Sequence, residues 1–336
     1  MHSYHPAKPR NLLRTALALC GAALAVATTI TATTAAAQDF PSKLIRMVAP
    51  FPPGGPADVL ARPLAESMQV LLGQPVIVEF KPGAGAISAV QMLQGSPADG
   101  HTIMMGSNVV ALAMGLFKKL PYDTLRDLRG IAGVTSSPYM LLVPAGYAAS
   151  NLNDLIRAAK AAPGKLNYAS SGPGTLAHVT AELFNESAGV KIAHIPYKGG
   201  GPALTALMAG EVQVFFDAPF SAQQHIRSGR LKPLALAGAS RLESFPDVPT
   251  AEEQGLKNFR VASWFGIFAL RATPDAVVAK LNDAVNKALQ STVVKERYAT
   301  VGAVPTGGSA ATLQKLVEDE IATWGRVTRN AGISLD

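Results

Sequence analysis

A recurring unit of apolar run, glycine loop and helical segment is the strongest constraint on how this 336-residue chain folds. The unit occurs four times, with apolar runs at Leu44 to Phe51, Val76 to Phe80, Leu166 to Ser170 and Lys191 to Pro196. Each run has the length of a strand, and the glycines that follow it indicate a turn before a helix. Such units predict parallel sheets with ligands at the carboxyl ends of the strands, where these loops lie.

The loop after the third run has the composition of an anion site. It holds two serines, two glycines and a threonine, namely Ser170, Ser171, Gly172, Gly174 and Thr175. The first N–H groups of the helix that follows have no intrahelical partner, and the helix dipole adds partial positive charge there. The hydroxyl groups add further donors. We therefore interpret this loop as half of a carboxylate-binding cleft.

Three other interpretations of this loop stay open on local sequence. Its hydroxyls could simply cap the helix. A hydrolase built from Ser171, His178 and Asp217 is compatible with the composition, although the chain contains no G-x-S-x-G nucleophile elbow. The glycine spacing also resembles a dinucleotide fingerprint, but Pro173 removes an N–H group from the turn. No third metal ligand accompanies His178 and Glu182, so we expect His178 to be a surface or capping histidine.

The loop after the first strand, Pro52 to Asp58, is the second predicted ligand loop. Asp58 falls in the first turn of the next helix, where a carboxylate stabilises the dipole and caps backwards. We therefore expect Asp58 to be structural, or to pair with an amine or hydroxyl of a ligand. The backbone amides from Gly54 to Ala57 are the better candidates for binding an anion.

Several residues near the strand ends are candidates with a competing structural role. Asp217 ends a run that should be buried, so it is either a satisfied structural acid or a cleft residue. Phe51, Tyr197 and Trp264 are candidates for the apolar side of a ligand, although aromatic residues beside strands are more often core.

The N-terminus predicts export. Lys8, Arg10 and Arg14 precede an apolar region and a small-residue site that ends at Ala37, which is the pattern of a secretory signal peptide over residues 1–37. Its removal takes away three basic residues and no acidic one, so the formal charge falls from +7 to +4. It also removes Cys20, the only cysteine. The mature protein is then predicted to be soluble and without a disulfide.

Composition narrows the possible functions of the mature chain. Charged residues make up 16% of the sequence and its lysines and arginines are scattered, which argues against disorder and against nucleic-acid binding. The amphipathic segments Pro274 to Leu289 and Ala311 to Asn330 predict helices near the C-terminus. The apolar run Val261 to Leu270 predicts a strand before them. Two α/β domains fit this length best.

The order of the motifs resembles one protein family. The motifs are Pro50 to Asp58, Leu72 to Val76, Pro82 to Gly85, Leu120 to Asp123, Gly164 to Ser170, His194 to Gly199, Phe216 to Asp217 and Pro246 to Thr250. In this order they resemble the Bug (TctC-like) family, the substrate-binding proteins of tripartite tricarboxylate transporters.

The resemblance implies an α/β fold of the type II periplasmic binding protein class, with two α/β lobes, a ligand cleft between them and crossing strands that join them. Residues 39–138 and 262–336 would form lobe 1, and residues 139–261 would form lobe 2. It implies a periplasmic, monomeric receptor that is not an enzyme and has no cofactor or metal. Such a receptor captures a small organic carboxylate and delivers it to a membrane permease.

Carried onto this sequence, the family pattern and the motifs predict a set of ligand-binding residues. They are Phe51, Pro53, Gly54, Gly55, Ala57, Asp58, Ser107, Ser170, Ser171, Gly174, Thr175, Tyr197 and Asp217. Departures from the family pattern at Phe80–Lys81, Gly85–Ala86 and Ala269–Leu270 bear on the identity of the ligand. The alternatives are a sensor that presents its ligand to a signalling receptor and an exported hydrolase that uses Ser171.

Overall fold

The computed structural model describes residues 1–3 and 40–336. The predicted signal peptide, residues 1–37, therefore lies outside the described residues except for its first three. Residues Lys43–Asp336 form one compact unit, which holds all the helices and strands given below. None of the helices in the described part of the chain is both long and apolar enough to cross a membrane.

Ten strands among residues 40–336 build two five-stranded sheets. In chain order they are β1 (Ile45–Ala49), β2 (Val76–Phe80), β3 (Thr102–Ser107), β4 (Leu128–Pro138), β5 (Met140–Pro144), β6 (Asn167–Ser170), β7 (Ala193–Pro196), β8 (Val214–Asp217), β9 (Leu231–Leu236) and β10 (Ala262–Leu270).

Within the part of the chain that the structure describes, eleven α-helices connect or cover these strands. They are α1 (Pro56–Leu72), α2 (Ile87–Gln94), α3 (Val109–Leu116), α4 (Thr124–Asp127), α5 (Leu152–Ala161), α6 (Leu176–Ala188), α7 (Gly200–Ala209), α8 (Pro219–Arg227), α9 (Asp275–Gln290), α10 (Thr292–Thr300) and α11 (Ala310–Asn330). The two predicted C-terminal helices are confirmed as α9 and α11, while α10 was not predicted.

Both sheets are mixed, so the prediction of parallel sheets is only partly right. The first sheet has the order β2-β1-β3-β10-β4, and the second has the order β7-β6-β8-β5-β9. The strands of the repeated units pair in parallel, as β1 does with β2 and β6 with β7. By contrast, β10 runs antiparallel to β3 and β4, and β5 runs antiparallel to β8 and β9. These antiparallel strands enter each sheet directly from the other one, without a helix to reverse their direction.

The chain passes between the sheets at two adjacent crossings. Strand β4 of the first sheet continues through Tyr139 into β5 of the second, and Val261 leads back into β10. The two crossings are tied together because the Tyr139 N–H donates to the Val261 carbonyl at 2.9 Å. Val261 N–H in turn donates to the carbonyl of Ala237 at 2.9 Å. Two α/β lobes joined by crossing strands are therefore confirmed, whereas the lobe limits at residues 138 and 261 stay a prediction.

Helix α11 shows how local sequence fixes one of these elements. Ser309 precedes it with extended backbone, and its Oγ accepts from the N–H of Thr312 at 3.0 Å, which caps the helix. Leu313, Val317 and Trp324 are buried along one face. Their spacing follows the helical period, so burial of this face against the first sheet and α3 stabilises the helix in place.

Candidate functional site

A cavity of about 560 Å³ lies between the two lobes. Its walls come from both of them. Phe51, Ser107, Asn108, Val109, Ser263 and Phe265 belong to the first lobe, and Ser171, Gly174, Thr175 and Leu176 belong to the second. We call this space the cleft cavity. Five of the predicted ligand-binding residues line it, namely Phe51, Ser107, Ser171, Gly174 and Thr175.

The serine and glycine loop leads directly into helix α6 at the wall of this cavity. Thr175 occupies the N-cap position with extended backbone, yet no side chain caps the helix. The Thr175 hydroxyl instead donates to the carbonyl of Gly172 at 2.7 Å. The first N–H groups of α6 therefore have no intrahelical or capping partner, and this end of the helix carries partial positive charge.

Gly174 allows the loop to pass close to its neighbours. Its φ of +71° lies in the left-handed region, which favours glycine. A Cβ atom here would lie 2.9 Å from Cδ1 of Leu335 and 3.1 Å from Cδ1 of Leu116. Both the backbone conformation and the space therefore favour glycine at this position.

Two histidine rings support the same loop from the protein interior. The N–H of Gly174 donates to Nδ1 of His178 at 3.1 Å, and Nε2 of His194 lies 2.6 Å from Oγ of Ser170. The two imidazoles stack with their centroids 3.8 Å apart. Burial, and then the neighbouring His194, lower the pKa of His178 to about 4. The neutral ring can therefore accept the Gly174 hydrogen bond at neutral pH.

His178 is predicted to be a surface or capping histidine; the surface role is wrong, whereas the capping role agrees with the hydrogen bond that its Nδ1 accepts from the Gly174 N–H just before α6. Only 7% of the residue is exposed, because its ring packs between the loop and His194. Ser170 is fully buried against these rings and does not line the cleft cavity. Its hydroxyl lies within hydrogen-bond distance of His194, so the structure gives it contacts inside the protein.

Helix α3 brings a second N-terminus to the cleft cavity, and Asn108 precedes it. Its side chain does not cap the helix. Instead Nδ2 donates to the carbonyl of Ala262 at 3.0 Å and to Oε1 of Glu320 at 2.9 Å, while Oδ1 accepts from the N–H of Trp264 at 3.0 Å. Burial raises the pKa of Glu320 to about 7. Asn108 thus links the start of α3 to β10 and α11.

Asn108 and Glu320 are not among the residues predicted from the sequence. Asn108 directly follows a buried strand, which is a signal that places a polar side chain near a ligand site. Glu320 gives no such signal because it lies in the middle of an amphipathic helix. Trp264, a candidate for the apolar side of a ligand, is 1% exposed and packs against Phe268 with ring centroids 6.2 Å apart. It belongs to the core.

The residues of the loop after β1 lie in different environments, and several of them do not line the cleft cavity. Asp58 pairs with Arg62, whose Nε lies 2.5 Å from Oδ1, and accepts from the N–H of Gly54 at 2.8 Å. Burial opposes ionisation of Asp58, but the Gly54 amide and the Arg62 guanidinium outweigh it and lower the pKa. Pro53 is exposed and Ala57 is buried. None of these three predicted residues lines the cleft cavity.

Gly54 and Gly55 line a second space of about 260 Å³, which we call the side pocket. Its other described lining residues are Val59, Leu60, Thr135, Ser136, Ser137, Phe220, Ser263, Phe265, Val301, Ala303 and Val304. Ser263 and Phe265 also line the cleft cavity. The two spaces therefore share one wall.

Tyr197 and Asp217 lie outside the residues that line the cleft cavity. The Tyr197 hydroxyl donates to Oε2 of Glu211 at 3.4 Å. Oδ1 of Asp217 accepts from the N–H of Ala218 at 2.8 Å, and burial raises the pKa of Asp217 to about 7. Roles for these residues in binding, like those of the other predicted site residues, stay predictions.

Comparison with known proteins identifies the family. Residues 60–333 match the family described as tripartite tricarboxylate transporter family receptor. The chain belongs to this family. The receptor is 40% identical over 311 residues to a UPF0065 protein of Bordetella pertussis, covering 92% of this chain and 95% of the relative. It is also 37% identical over 312 residues to Protein BugT of the same organism, covering 92% and 96%.

Solved structures confirm the type of fold. Rpa4515 of R. palustris, solved with adipate, superposes on the receptor with a TM-score of 0.73 and 32% identity, over 88% of this chain and all of that one. MatC of Rhodopseudomonas palustris, solved with bound malate, gives a TM-score of 0.70 and 35% identity, over 86% and 99%. The receptor thus belongs to a family of periplasmic solute-binding proteins, not of enzymes. This family membership argues against the hydrolase alternative.

Proposed function

We propose that this receptor captures a small organic carboxylate in the cleft cavity. One observation carries the proposal, which is that the first residues of two helices from different lobes line the same cavity. Val109 begins α3 and Leu176 begins α6. The N-cap side chains Asn108 and Thr175 do not cap these helices, although Oγ of Ser107 accepts from the N–H of Val109 at 3.3 Å. Two helix N-termini directed at one space favour a negatively charged group there.

Amides, hydroxyls and water would hold the carboxylate, rather than a bidentate arginine. The described residues that line the cleft cavity include no lysine or arginine, whereas Ser107, Ser171, Thr175 and Ser263 supply hydroxyl groups. Adipate and malate in the two structural neighbours support a carboxylate as the ligand. The candidate ligands are di- and tricarboxylates and aromatic acids.

Delivery to a membrane permease of the tripartite tricarboxylate type is the transport step that we propose. The receptor would act as a monomer in the periplasm, exported by the signal peptide predicted at residues 1–37. Ligand binding would shift an equilibrium between open and closed lobes in proportion to its preference for the closed form. Presentation of the ligand to a signalling receptor is the alternative.

A thermal-shift experiment tests the capture step. The mature chain from Gln38 onward is heated with mono-, di- and tricarboxylates and aromatic acids, and with neutral sugars as controls. A ligand that binds only the folded state raises the midpoint of unfolding. We expect a rise with one class of acid and none with sugars. A rise with sugars alone would contradict the proposal.

Uptake by cells tests the transport step. Cells that lack this receptor should lose uptake of the labelled acid that raises the midpoint, and the receptor supplied in trans should restore it. Unchanged uptake, together with an altered transcriptional response to the acid, would instead support the sensor alternative.

A further inference from the structure

The side pocket is unusual for the number of exposed apolar side chains that converge on it. Val59 of α1, Phe220 of α8 and Val304 after α10 are 37%, 40% and 59% exposed, and all three line this pocket. When a ligand covers large apolar side chains that are otherwise exposed to water, the free energy of the system falls. Three of them around one pocket therefore indicate an apolar binding partner.

The side pocket also adjoins the proposed carboxylate site. Phe265 lines both spaces, and its ring meets that of Phe51 edge to face at a centroid distance of 5.7 Å. Ser263 is the second residue that they share. A ligand that extends along Phe265 from the cleft cavity would therefore enter the side pocket.

The charges around the side pocket disfavour a second carboxylate. Neither this pocket nor the cleft cavity has a lysine, arginine or histidine among its described lining residues, but the helix N-terminus at the side pocket, that of α1, already meets a carboxylate. The Gly54 amide donates to Asp58, and although burial raises the pKa of Asp58, this amide and Arg62 outweigh it and lower the pKa. Because Arg62 is already paired with Asp58, a second anion would be desolvated close to this carboxylate without a cation of its own.

We infer that the ligand of this receptor is an amphipathic monocarboxylate, with its acid group in the cleft cavity and an aliphatic or aromatic arm in the side pocket. The inference rests on the proposed function, since it assigns the acid group to the cleft cavity, but it replaces the di- and tricarboxylates among the candidate ligands by acids with a single carboxylate. It adds that the receptor selects its ligand through Phe220, Val59 and Val304 as well as through the acid group.

A homologous series of acids tests the arm. Calorimetric affinities are measured for straight-chain monocarboxylates from acetate to octanoate, and for benzoate and phenylacetate. We expect affinity to rise about threefold to fourfold per added methylene until the side pocket is full. Hexanoate should bind at least about tenfold tighter than adipate, its dicarboxylate of equal length. Equal or tighter binding of adipate would overturn the inference.

Variants separate this inference from the proposed function. Phe220→Ala should lower the affinity for octanoate and phenylacetate about tenfold and leave the affinity for acetate unchanged, because only the arm of the ligand would contact this ring. Val293→Ala is the matched control, since Val293 is 51% exposed and lines neither space. Thr175→Ala should lower the affinity for every acid by a similar factor.

The possible results point to different conclusions. If Thr175→Ala lowers the affinity for every acid while Phe220→Ala lowers it for none, the proposed carboxylate site is supported and the inference that an apolar arm occupies the side pocket is wrong. If Phe220→Ala leaves all affinities unchanged but abolishes uptake, the side pocket docks the permease and the inference is also wrong. If no acid binds the unaltered protein, the proposed function fails and the inference fails with it.

Discussion

The imidazole rings of His178 and His194 stack 3.8 Å apart beneath the loop that is proposed to bind the carboxylate. His178 comes from α6 and His194 from β7, so the pair joins two elements of the second lobe. His194 also stacks on Tyr168 with ring centroids 4.9 Å apart, and the Tyr168 hydroxyl donates to Glu182 at 2.5 Å. The rings thus form a buried stack that supports the loop.

This stack predicts a loss of stability in mild acid. Burial lowers the pKa of His178 to about 4 from its ordinary 6.5, so below pH 6.5 the unfolded chain binds a proton that the folded protein excludes. The free energy of unfolding should therefore fall by about 2 to 3 kcal/mol between pH 6.5 and pH 4 on account of this group. Denaturant unfolding of the protein and of His178→Gln across this range measures the effect.

The comparison with His178→Gln isolates the histidine from other titrating groups. Asp217 and Glu320 have raised pKa values, so on acidification they raise the free energy of unfolding, whereas His178 lowers it. Both acids are present in the two proteins compared. The variant should show the smaller loss of stability on acidification. Parallel pH profiles for the two proteins would show that His178 does not titrate in this way.

Glu320 predicts the opposite pH dependence. Burial raises its pKa to about 7, so between pH 4.5 and pH 7 the folded protein holds a proton that the unfolded chain has lost. Stability from this group is present at acid pH and is lost as the pH rises through 7. Glu320→Gln keeps an acceptor for Asn108 and cannot ionise, so its stability relative to the unaltered protein should be about 2 to 3 kcal/mol greater at pH 8 than at pH 5.

Glu318→Gln provides the control, since Glu318 is an exposed acid on the same helix. Its stability relative to the unaltered protein is measured over the same pH range. A Glu320→Gln difference that varies with pH no more than the Glu318→Gln difference would contradict a buried, proton-holding Glu320.

Thr175→Ala tests the proposed carboxylate loop. The substitution removes a hydroxyl that lines the cleft cavity and donates to the Gly172 carbonyl, so affinity for the acid should fall about fivefold to tenfold. Thr205→Ala is a matched control, because Thr205 is exposed and its hydroxyl likewise donates to a backbone carbonyl, that of Gly201, at 3.1 Å. Equal affinities for the two variants would place the ligand elsewhere.

Local patterns are enough to predict the strands of the repeated units and the loops that follow them. The apolar run before Ser170 and the glycines after it specify a strand and a turn through residues close in sequence. Helix α10 was not predicted because only Val294 and Tyr298 are buried along it, so its apolar period is weak. The sequence therefore predicts the elements whose signal comes from neighbouring residues, and it misses an element whose apolar pattern is weak.

Contacts between distant residues could not be predicted. Asn108 and Glu320 lie 212 positions apart, and neither neighbourhood contains a signal that names the other. The burial of His178 could not be predicted, because its stacking partner His194 belongs to β7, which is distant in sequence. The division of the first loop between the side pocket and the Asp58–Arg62 pair likewise depends on tertiary packing.

Gly174→Ala tests whether the close packing of the loop matters for binding. The φ of +71° costs alanine about 1 kcal/mol, and the new Cβ would meet Leu335 and Leu116. Gly229→Ala is the control for the backbone cost alone, because Gly229 has a φ of +68° and nothing within 4 Å of a Cβ atom. Denaturant unfolding should show a loss of about 1 kcal/mol for Gly229→Ala and a larger loss for Gly174→Ala. Only Gly174→Ala should also lower the affinity for the acid, since Gly174 itself lines the cleft cavity and the new Cβ would displace it. Equal effects of the two variants on both stability and affinity would show that the approach of Leu335 and Leu116 leaves the loop free to adjust.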